Sequence, residues 1–381
     1  MERFIPLSVP NLKGNELKYV TEAVKAEWVS TGGAFISRFE KEFAEYAIVP
    51  EAAAVQSGTA ALHLAMIECS VGQGDLVIVP TLTFIAAVNP IRYAGAEPVF
   101  VDCDDSLCLD PKKLERYFEE ECEKRGGTLY DRTLEKPIKA VVVVHIFGNG
   151  ADMERIMDLA EQYNLFVIED ATEALGTFYT GGRYVGRMAG TIGDVGAYSF
   201  NGNKIITTGG GGMLVARDIK HVKHARHLST QAKADELYFE HDEIGYNYRM
   251  TNLQAALGVA QLEQLEAFVE IKKKNYLHYQ ELGIELLPFA NNVRPNYWFY
   301  SYMSKQRDVL IKYLGENKVQ ARPAWKLIHT LPMYKQCRAY DISKVAEYYE
   351  KIVNIPCSSN LGSEDVERVA ALIKGCGAPN V

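Results

Sequence analysis

The stretch KAVVVVHIFGNGADMERIMDLAEQYNLFVIED, residues 139–170, decides the fold of this chain. Its two apolar runs, KAVVVVHI and LFVIED, have the length and the β-branched content of buried strands. The segment between them predicts an amphipathic helix, with one apolar face formed by Met153, Ile156, Met157 and Ala160. A strand, a helix and a second strand in this order predict a βαβ unit of a mainly parallel sheet.

The chain on either side of this unit continues the same alternation. DLVIVP (75–80) and EPVFVD (97–102) are further candidates for buried strands, and DVGAYSF (194–200) and MLVA (213–216) flank a glycine-rich turn. We therefore expect an α/β protein with a mainly parallel central sheet. In such sheets ligands gather at the carboxyl ends of the strands.

Length and composition indicate a globular protein of two domains. The chain has 381 residues, of which 48% are hydrophobic and 24% charged, and a formal net charge of -8. We expect a large domain over residues 1–251 and a smaller C-terminal α+β domain over 252–381. One long helix, residues 251–276, is predicted to lead into the second domain. The charged segment 104–137 predicts a helix followed by a surface loop.

Several features predict a cytoplasmic protein. The seven cysteines are odd in number and lack a CxxC pair, which argues against a disulfide framework. MERFIPLSVP shows no basic leader followed by an apolar stretch, and KAVVVVHIF is too short to cross a bilayer. The acidic net charge argues against a nucleic-acid partner. We expect no membrane or nucleic-acid partner and no metal in the site.

The stretch SFNGNKIITTGGGGM, residues 199–213, places one lysine, Lys204, between a strand and four consecutive glycines. A lysine on an ordinary surface hairpin needs neither the rigid approach nor the open space behind it. A lysine that bonds covalently to a bulky cofactor needs both. Lys204 is therefore our candidate catalytic residue.

Three further motifs precede this lysine, and each has an ordinary structural explanation as well. SGTAALHLA begins with Ser57, Gly58 and Thr59, which could bind phosphate through free backbone amides or could simply cap the helix. Phe84, just after a predicted strand, could lie against a planar ring or belong to the core. Asp170, at the end of LFVIED, could pair with a buried cation or cap the next helix.

The order of these motifs is more specific than any one of them. A phosphate-binding helix start, an aromatic ring, an aspartate at a strand end and a lysine in a glycine-bounded turn together describe a site for pyridoxal 5'-phosphate (PLP). PLP is therefore the cofactor that we expect.

The chain resembles the DegT/StrS family of PLP-dependent nucleotide-sugar aminotransferases. The resemblance rests on SGTAAL, EDATEALG, SFNGNK, GYNYRM and IPCSSNLGSEDVERV, which together span nearly the whole chain. It implies the PLP-dependent aspartate aminotransferase-type fold (fold type I). The dehydratases of this family have histidine where this chain has Lys204, so the resemblance favours transamination.

The resemblance also implies roles for individual residues. Lys204 would form the covalent link to the cofactor and Asp170 would face its pyridine nitrogen. Phe84 would stack on the ring, and Glu173 would lie near the ring hydroxyl, where many members have glutamine or histidine. The phosphate would be held by Ser57, Gly58, Thr59 and Ser199, with Asn247 reaching it from the neighbouring subunit of a homodimer.

For the substrates, the resemblance implies L-glutamate as amino donor and a nucleotide-linked 4-keto-6-deoxy sugar as acceptor. UDP-4-keto-6-deoxy-N-acetylglucosamine is the first expectation and GDP-4-keto-6-deoxymannose, the perosamine type, is the alternative. A sugar dehydratase and a non-catalytic homologue are further alternatives. The proposed sugar wall is Trp28, Ser30 and Thr31, although a plain helix cap by Ser30 or Thr31 explains the stretch nearly as well. The proposed diphosphate contacts are Arg322, Lys326 and His329, which could equally be ordinary surface charge.

Overall fold

A computed structural model describes residues 3–235 and 237–376. In that part of the chain the helices are α1 (Glu16–Lys25), α2 (Ala34–Ala47), α3 (Gly58–Glu68), α4 (Asn89–Tyr93), α5 (Pro111–Glu121), α6 (Met153–Tyr163), α7 (Ile219–Leu228), α8 (Asn252–Leu262), α9 (Leu265–Glu281), α10 (Arg307–Glu316), α11 (Ser343–Lys351) and α12 (Ser363–Gly375). The strands are β1 (Ala53–Val55), β2 (Leu76–Pro80), β3 (Glu97–Val101), β4 (Cys122–Arg125), β5 (Thr128–Asp131), β6 (Lys136–Val144), β7 (Phe166–Asp170), β8 (Phe178–Tyr179), β9 (Val195–Ser199), β10 (Gly212–Ala216), β11 (Lys233–Asp235), β12 (Glu240–His241), β13 (Val293–Arg294), β14 (Tyr300–Met303), β15 (Arg322–Pro323), β16 (Ala339–Tyr340) and β17 (Ile352–Ile355).

The central sheet has the strand order β1-β10-β9-β7-β6-β2-β3-β16. Neighbouring strands from β9 to β16 run parallel, whereas β10 is antiparallel to both β9 and β1. All five residues of β2 are buried, as its continuous apolar sequence requires in a sheet covered on both faces. The predicted α/β fold with a mainly parallel central sheet is confirmed.

Polar caps begin the helices that flank this sheet. Ser57 accepts a hydrogen bond from the amide of Ala60 at the start of α3, and Asp152 caps α6 in the same way. Thr251 and Gln254 form a capping box at the start of α8. These side chains satisfy backbone amides that a helix start leaves unpaired.

The structure corrects two of the expected elements. The long helix predicted over 251–276 is two helices, α8 and α9, separated at Glu263 and Gln264. The side-chain amides of Gln261 and Gln264 both donate to the carboxylate of Glu16, which anchors the break against α1. The loop predicted after α5 is a hairpin, β4 and β5, whose turn contains two glycines with positive φ, Gly126 and Gly127.

The C-terminal part of the chain carries a second, smaller sheet with the order β14-β17-β15. The first helix past residue 251, α8, packs against α1 and α2 rather than against this small sheet. No helix in 3–235 or 237–376 combines the length and apolarity needed to cross a membrane.

Candidate active site

The cavity that contains Lys204 lies at the carboxyl edge of the central sheet. β7 ends at Asp170, which is paired in register with Val144 of β6 and Ala197 of β9. Because these parallel strands end together, the segments that follow them meet at one edge. The cavity has a volume of about 180 Å³. Its lining includes six of the predicted residues, Ser57, Gly58, Thr59, Phe84, Ser199 and Lys204.

Lys204 is buried with little compensation for its charge. Its side chain is 10% exposed, and Nζ lies 3.9 Å from Oε1 of Glu173. The same nitrogen lies 4.2 Å from the ring centroid of Trp298. Burial lowers the pKa of Lys204, and the negative charges of Glu173 and Asp170 oppose that change. The amine is therefore more easily deprotonated than an exposed lysine, as a nucleophile or a general base requires.

Asp170 is buried beside this lysine. Its Oδ1 accepts a hydrogen bond from the backbone amide of Thr172 at 3.0 Å. Burial raises the pKa of Asp170, whereas the hydrogen bonds from Thr172 and the charge of Lys204 lower it. A carboxylate in this position gains stability from a cationic partner, which a protonated ring nitrogen would provide.

Glu173 is held by the turn that follows β6. Its Oε2 accepts the amide hydrogen of Phe147 at 2.7 Å, and its carbonyl accepts from the side-chain amide of Asn296 at 2.8 Å. Phe147, whose amide makes this hydrogen bond, has a φ of 56°, a left-handed conformation that is uncommon for a bulky residue. Burial raises the pKa of Glu173, although the charge of Lys204 opposes it. The burial of both groups favours their neutral forms.

Glu169 precedes Asp170 and makes an entirely separate set of contacts. Its carboxylate accepts from His145 Nε2 at 2.8 Å and from three backbone amides within residues 190–193. The amide of Ala151 donates to Nδ1 of His145, so Nε2 carries the ring proton. Burial raises the pKa of Glu169, but these hydrogen bonds outweigh it and the pKa is lowered. They anchor the end of β7 and fix the position of Asp170.

The start of α3 forms a close contact with the end of β9. A Cβ added at Gly58 would lie 2.8 Å from Cβ of Ser199 and 3.1 Å from Cγ2 of Thr172. Only glycine fits this position without displacing its neighbours. The amino end of a helix supplies backbone donors and a positive dipole, both of which favour a phosphate.

These observations fit PLP. The start of α3 and the hydroxyl of Ser199 offer donors for a phosphate, and the buried Asp170 suits a cationic ring nitrogen. Lys204 presents a poorly compensated amine to the same cavity. The residues therefore match, in kind, three polar parts of the cofactor: the phosphate, the ring nitrogen and the aldehyde.

An aromatic wall, Trp298, Trp325 and Phe84, completes the cavity. The rings of Phe84 and Trp325 lie 5.8 Å apart, and those of Trp298 and Trp325 lie 6.2 Å apart. Phe84 is 50% exposed, whereas Trp298 is 1% exposed. Sequence reasoning found Phe84 but missed both tryptophans. The aromatic-rich segment around Trp298 was the available signal.

Nine predicted residues lie outside the lining of this cavity in a single chain: Asp170 and Glu173, which are buried next to Lys204, and seven that lie farther away. Asn247 is exposed and pairs through a β-bridge with Thr230. Trp28 is 63% exposed, and its carbonyl accepts from the side-chain amide of Asn252. Ser30 and Thr31 are exposed on the same loop.

The three proposed diphosphate contacts are also separate from the cavity lining. Arg322 is exposed in β15, and Lys326 is exposed directly after the cavity residue Trp325. His329 is partly buried, and its Nδ1 lies 2.7 Å from the hydroxyl of Thr81. The structure brings together the residues predicted for the cofactor, except Asn247, but not those predicted for the sugar nucleotide.

Comparison with known proteins gives a consistent result over almost the full length. The sequence model of the DegT/DnrJ/EryC1/StrS aminotransferase family matches residues 10–374. EpsN of Bacillus subtilis (strain 168) is 38% identical over 98% of this chain and 96% of its own. The GDP-perosamine synthase of Escherichia coli O157:H7 is 38% identical over 96% of each chain. The crystal structure of a DegT DnrJ EryC1 StrS aminotransferase from Brucella abortus covers 95% of both chains, with a TM-score of 0.86 and 27% identity.

Proposed function

This chain belongs to the DegT/DnrJ/EryC1/StrS aminotransferase family, and on that premise we propose that it aminates GDP-4-keto-6-deoxymannose at the 4-keto carbon, with L-glutamate as donor. The chain is a PLP-dependent sugar aminotransferase. The nucleotide is the finer part of the proposal. The resemblance placed a UDP sugar first, but the named GDP-perosamine synthase, similar over nearly its whole length, supports the GDP alternative.

The single observation that carries the catalytic part is the environment of Lys204. PLP supplies an aldehyde that accepts the amino group and a ring that withdraws electrons. Burial lowers the pKa of Lys204, so its amine can take a proton from the α-carbon of the amino donor and later return one to the sugar carbon. Asp170 would hold a proton on the ring nitrogen, and the anchored end of β7 keeps its carboxylate in place.

The remaining cavity residues would bind and orient the cofactor. The first turn of α3, with Ser57, Gly58 and Thr59, would hold the phosphate together with the hydroxyl of Ser199. Phe84 would cover one face of the ring. Glu173, whose pKa burial raises, would keep its proton and donate a hydrogen bond to the ring oxygen, or share the proton with it. An ionised Glu173 would instead repel that oxygen when it is an anion.

We propose that the active unit is a homodimer in which Asn247 of the partner subunit reaches the phosphate. Support comes from the exposure of Asn247 and from four apolar side chains close to it in sequence. Leu237, Tyr238, Phe239 and Ile244 are 70–87% exposed, which a second copy of the chain would cover. All seven cysteines are free, which suits a reducing cytoplasm.

The sugar nucleotide would enter over the aromatic wall. Lys326 follows Trp325 directly and, with Arg322, would place positive charge toward a diphosphate, whereas His329, whose pKa burial lowers, would contribute as a neutral imidazole. The loop with Trp28, Ser30 and Thr31 is held by Asn252, whose amide groups bond the carbonyls of Trp28 and Ser30. In a dimer this loop would form part of the wall for the hexose.

The test compares two acceptors under one assay. The purified protein, with PLP and L-glutamate, receives either GDP-4-keto-6-deoxymannose or UDP-4-keto-6-deoxy-N-acetylglucosamine, and 2-oxoglutarate and the amino sugar are measured. We expect 2-oxoglutarate and the amino sugar to form in equal amounts with each acceptor. The kcat/KM should be at least about tenfold higher for the GDP sugar. A preference for the UDP sugar would restore the first expectation. Loss of a sugar hydroxyl without 2-oxoglutarate would indicate a dehydratase.

A further inference from the structure

Helix α7 carries three histidines on one face, and none of them lines the cavity of Lys204. His221, His224 and His227 recur at a spacing of three, so their side chains project from the same side of the helix. Nε2 of His224 lies 3.1 Å from Oε2 of Glu243, and Nε2 of His227 lies 2.7 Å from Oδ1 of Asp242. Two imidazoles thus face two carboxylates across a gap between α7 and the segment after β12.

A buried carboxylate fixes the orientation of this array. Glu68, at the end of α3, has a side chain that is only 3% exposed. Its two oxygens lie 2.9 Å and 2.8 Å from Nδ1 of His221 and of His224. Because Nδ1 of His224 donates to Glu68, its Nε2 is left pointing at the carboxylate of Glu243. A carboxylate that accepts from one ring nitrogen while the other points outward is the arrangement that supports metal-ligating histidines.

The outward Nε2 of His224 needs a positive charge beside the facing carboxylate, carried either by a proton on the ring or by a metal ion. If Nε2 carried a lone pair, that lone pair would meet the negative oxygens of Glu243 at 3.1–3.2 Å. Either a second proton on His224 or a metal ion removes this repulsion. The ligand atoms of His227, Asp242 and Glu243 also lie within 4.8 Å of one another. Ligand atoms of a tetrahedral zinc ion are roughly 3.3 Å apart, so small side-chain movements suffice.

We propose that this cluster binds one Zn²⁺ ion, with His227 Nε2, a carboxylate oxygen of Asp242 and one of Glu243 as ligands. His224 Nε2, which contacts Glu243 but lies outside that set, would become the fourth ligand through a side-chain movement. Imidazole nitrogens combined with carboxylates suit Zn²⁺ better than Mg²⁺ or Ca²⁺, which prefer oxygen alone. Glu68 is a positioning residue. This site adds to the sequence-based expectation, which included no metal.

The ion would fasten the β11–β12 hairpin to helix α7. Asp242 and Glu243 directly follow β12, and the chain continues from them to Tyr246, whose amide bonds the carbonyl of Leu228 at the end of α7. The metal would therefore order the segment that leads to Asn247 without contacting the active site. This inference stands independently of the proposed reaction.

The test is a calorimetric titration of chelator-treated full-length protein with ZnCl₂, and in parallel with MgCl₂. We expect one equivalent of Zn²⁺ bound and no saturable binding of Mg²⁺. His227→Asn and Asp242→Asn should each weaken Zn²⁺ binding by tenfold or more, on the order of the loss of a ligand, and Glu68→Gln by about 10- to 100-fold. Zn²⁺ should also raise the melting temperature of the wild type.

The matched control is His241→Asn. His241 lies on the same hairpin, but its Nδ1 bonds the carbonyl of Gln231 at 2.8 Å and it takes no part in the cluster. Zn²⁺ affinity in this variant should equal that of the wild type. Circular dichroism verifies that each variant is folded. Equal Zn²⁺ affinity in wild type, H227N and D242N, or no saturable binding in the wild type, overturns the proposal.

Discussion

Two buried lysines, Lys204 and Lys113, have opposite surroundings in this protein. Each side chain is 10% exposed. Nζ of Lys113 lies 2.5 Å from Oδ2 of Asp102, 2.9 Å from the carbonyl of Asp341 and 3.0 Å from the hydroxyl of Ser343. Nζ of Lys204 has its ion-pair partner, Glu173, at 3.9 Å, and lies against an aromatic ring.

The two environments give the two amines different tasks. Burial lowers the pKa of Lys113, but hydrogen bonds to Asp102 and Asp341 outweigh it and the pKa is raised, so this lysine stays charged. It joins α5 to the chain before α11. Burial lowers the pKa of Lys204, and its more distant carboxylates compensate only in part. A fully paired lysine stabilises the fold, whereas a poorly paired lysine in a cavity is available for chemistry.

Lys204→Ala is the variant for which we expect the greatest loss of turnover. Without the amine no residue in the cavity can exchange with the amino donor or move its proton, so turnover should fall by a factor on the order of 10⁴ or more. The free energy of unfolding should change little, because the lost contacts are few. Formation of 2-oxoglutarate and urea denaturation measure the two effects. Full activity in this variant would remove Lys204 from the reaction.

Lys113→Ala should show the reverse pattern. Removing Lys113 leaves the buried Asp102 with backbone hydrogen bonds but without its cationic partner and should cost about 3–5 kcal/mol of unfolding free energy. The residual folded protein, assayed below its melting temperature, should keep a kcat close to the wild-type value. If stability were unchanged and kcat fell instead, the division of tasks between the two lysines would be wrong.

Asp170→Asn tests whether the carboxylate beside Lys204 acts on the cofactor or only caps the following turn. Asparagine can still accept from the amide of Thr172, so the fold should be retained. Turnover should fall by about 10²- to 10³-fold, as expected when a charge that stabilises the transition state is removed. An unchanged kcat would assign Asp170 to the cap alone.

Glu173→Gln tests how strongly the neighbouring carboxylate changes the pKa of Lys204. Burial raises the pKa of Glu173 itself, but its ionised fraction still raises the pKa of Lys204, so replacement by neutral glutamine lowers the pKa of Lys204 further. Activity requires the uncharged amine and is lost as pH falls through its pKa. The acid limb of the kcat/KM profile should therefore move to lower pH, by about one pH unit. An acid limb at the wild-type pH would mean that Glu173 carries no charge toward Lys204 in this range.

Local sequence patterns were enough to predict most strands of the central sheet and its carboxyl edge, but not the outer strands β1 and β16. β2, β3, β6 and β7 were each visible as short apolar runs, and the amphipathic pattern between the last two predicted α6. The separation of α8 from α9 was not visible, because the apolar spacing runs through it. What ends α8 is a contact of two glutamines with Glu16, some 245 residues away in the chain.

The residues of the candidate site also differ in whether local sequence patterns predicted them. Lys204, Asp170 and the start of α3 follow strands or begin a helix, so the sequence predicted that they share one edge. Trp298 and Trp325 reach that edge from the C-terminal part of the chain, through contacts that no local pattern encodes. The left-handed turn at Phe147 that holds Glu173 is likewise invisible, because phenylalanine is not a residue that favours positive φ.

The weakest effect is predicted for the affinity for PLP, through the cavity beside Lys204. Lys113 has no equivalent space beside it. Phe84 lines the cavity and is 50% exposed, as expected for a ring that stacks on a bound cofactor. Phe84→Leu keeps an apolar side chain but loses the stacking surface, so the affinity for PLP should fall by about 0.5–1.5 kcal/mol, roughly two- to tenfold. Titration of cofactor-free protein with PLP, followed by visible absorbance, measures this change. Because Phe84 is half exposed and its ring contact with Trp325 is tilted, the melting temperature of the cofactor-free variant should stay close to that of the wild type. A lowered melting temperature with unchanged PLP affinity would place Phe84 in the core instead.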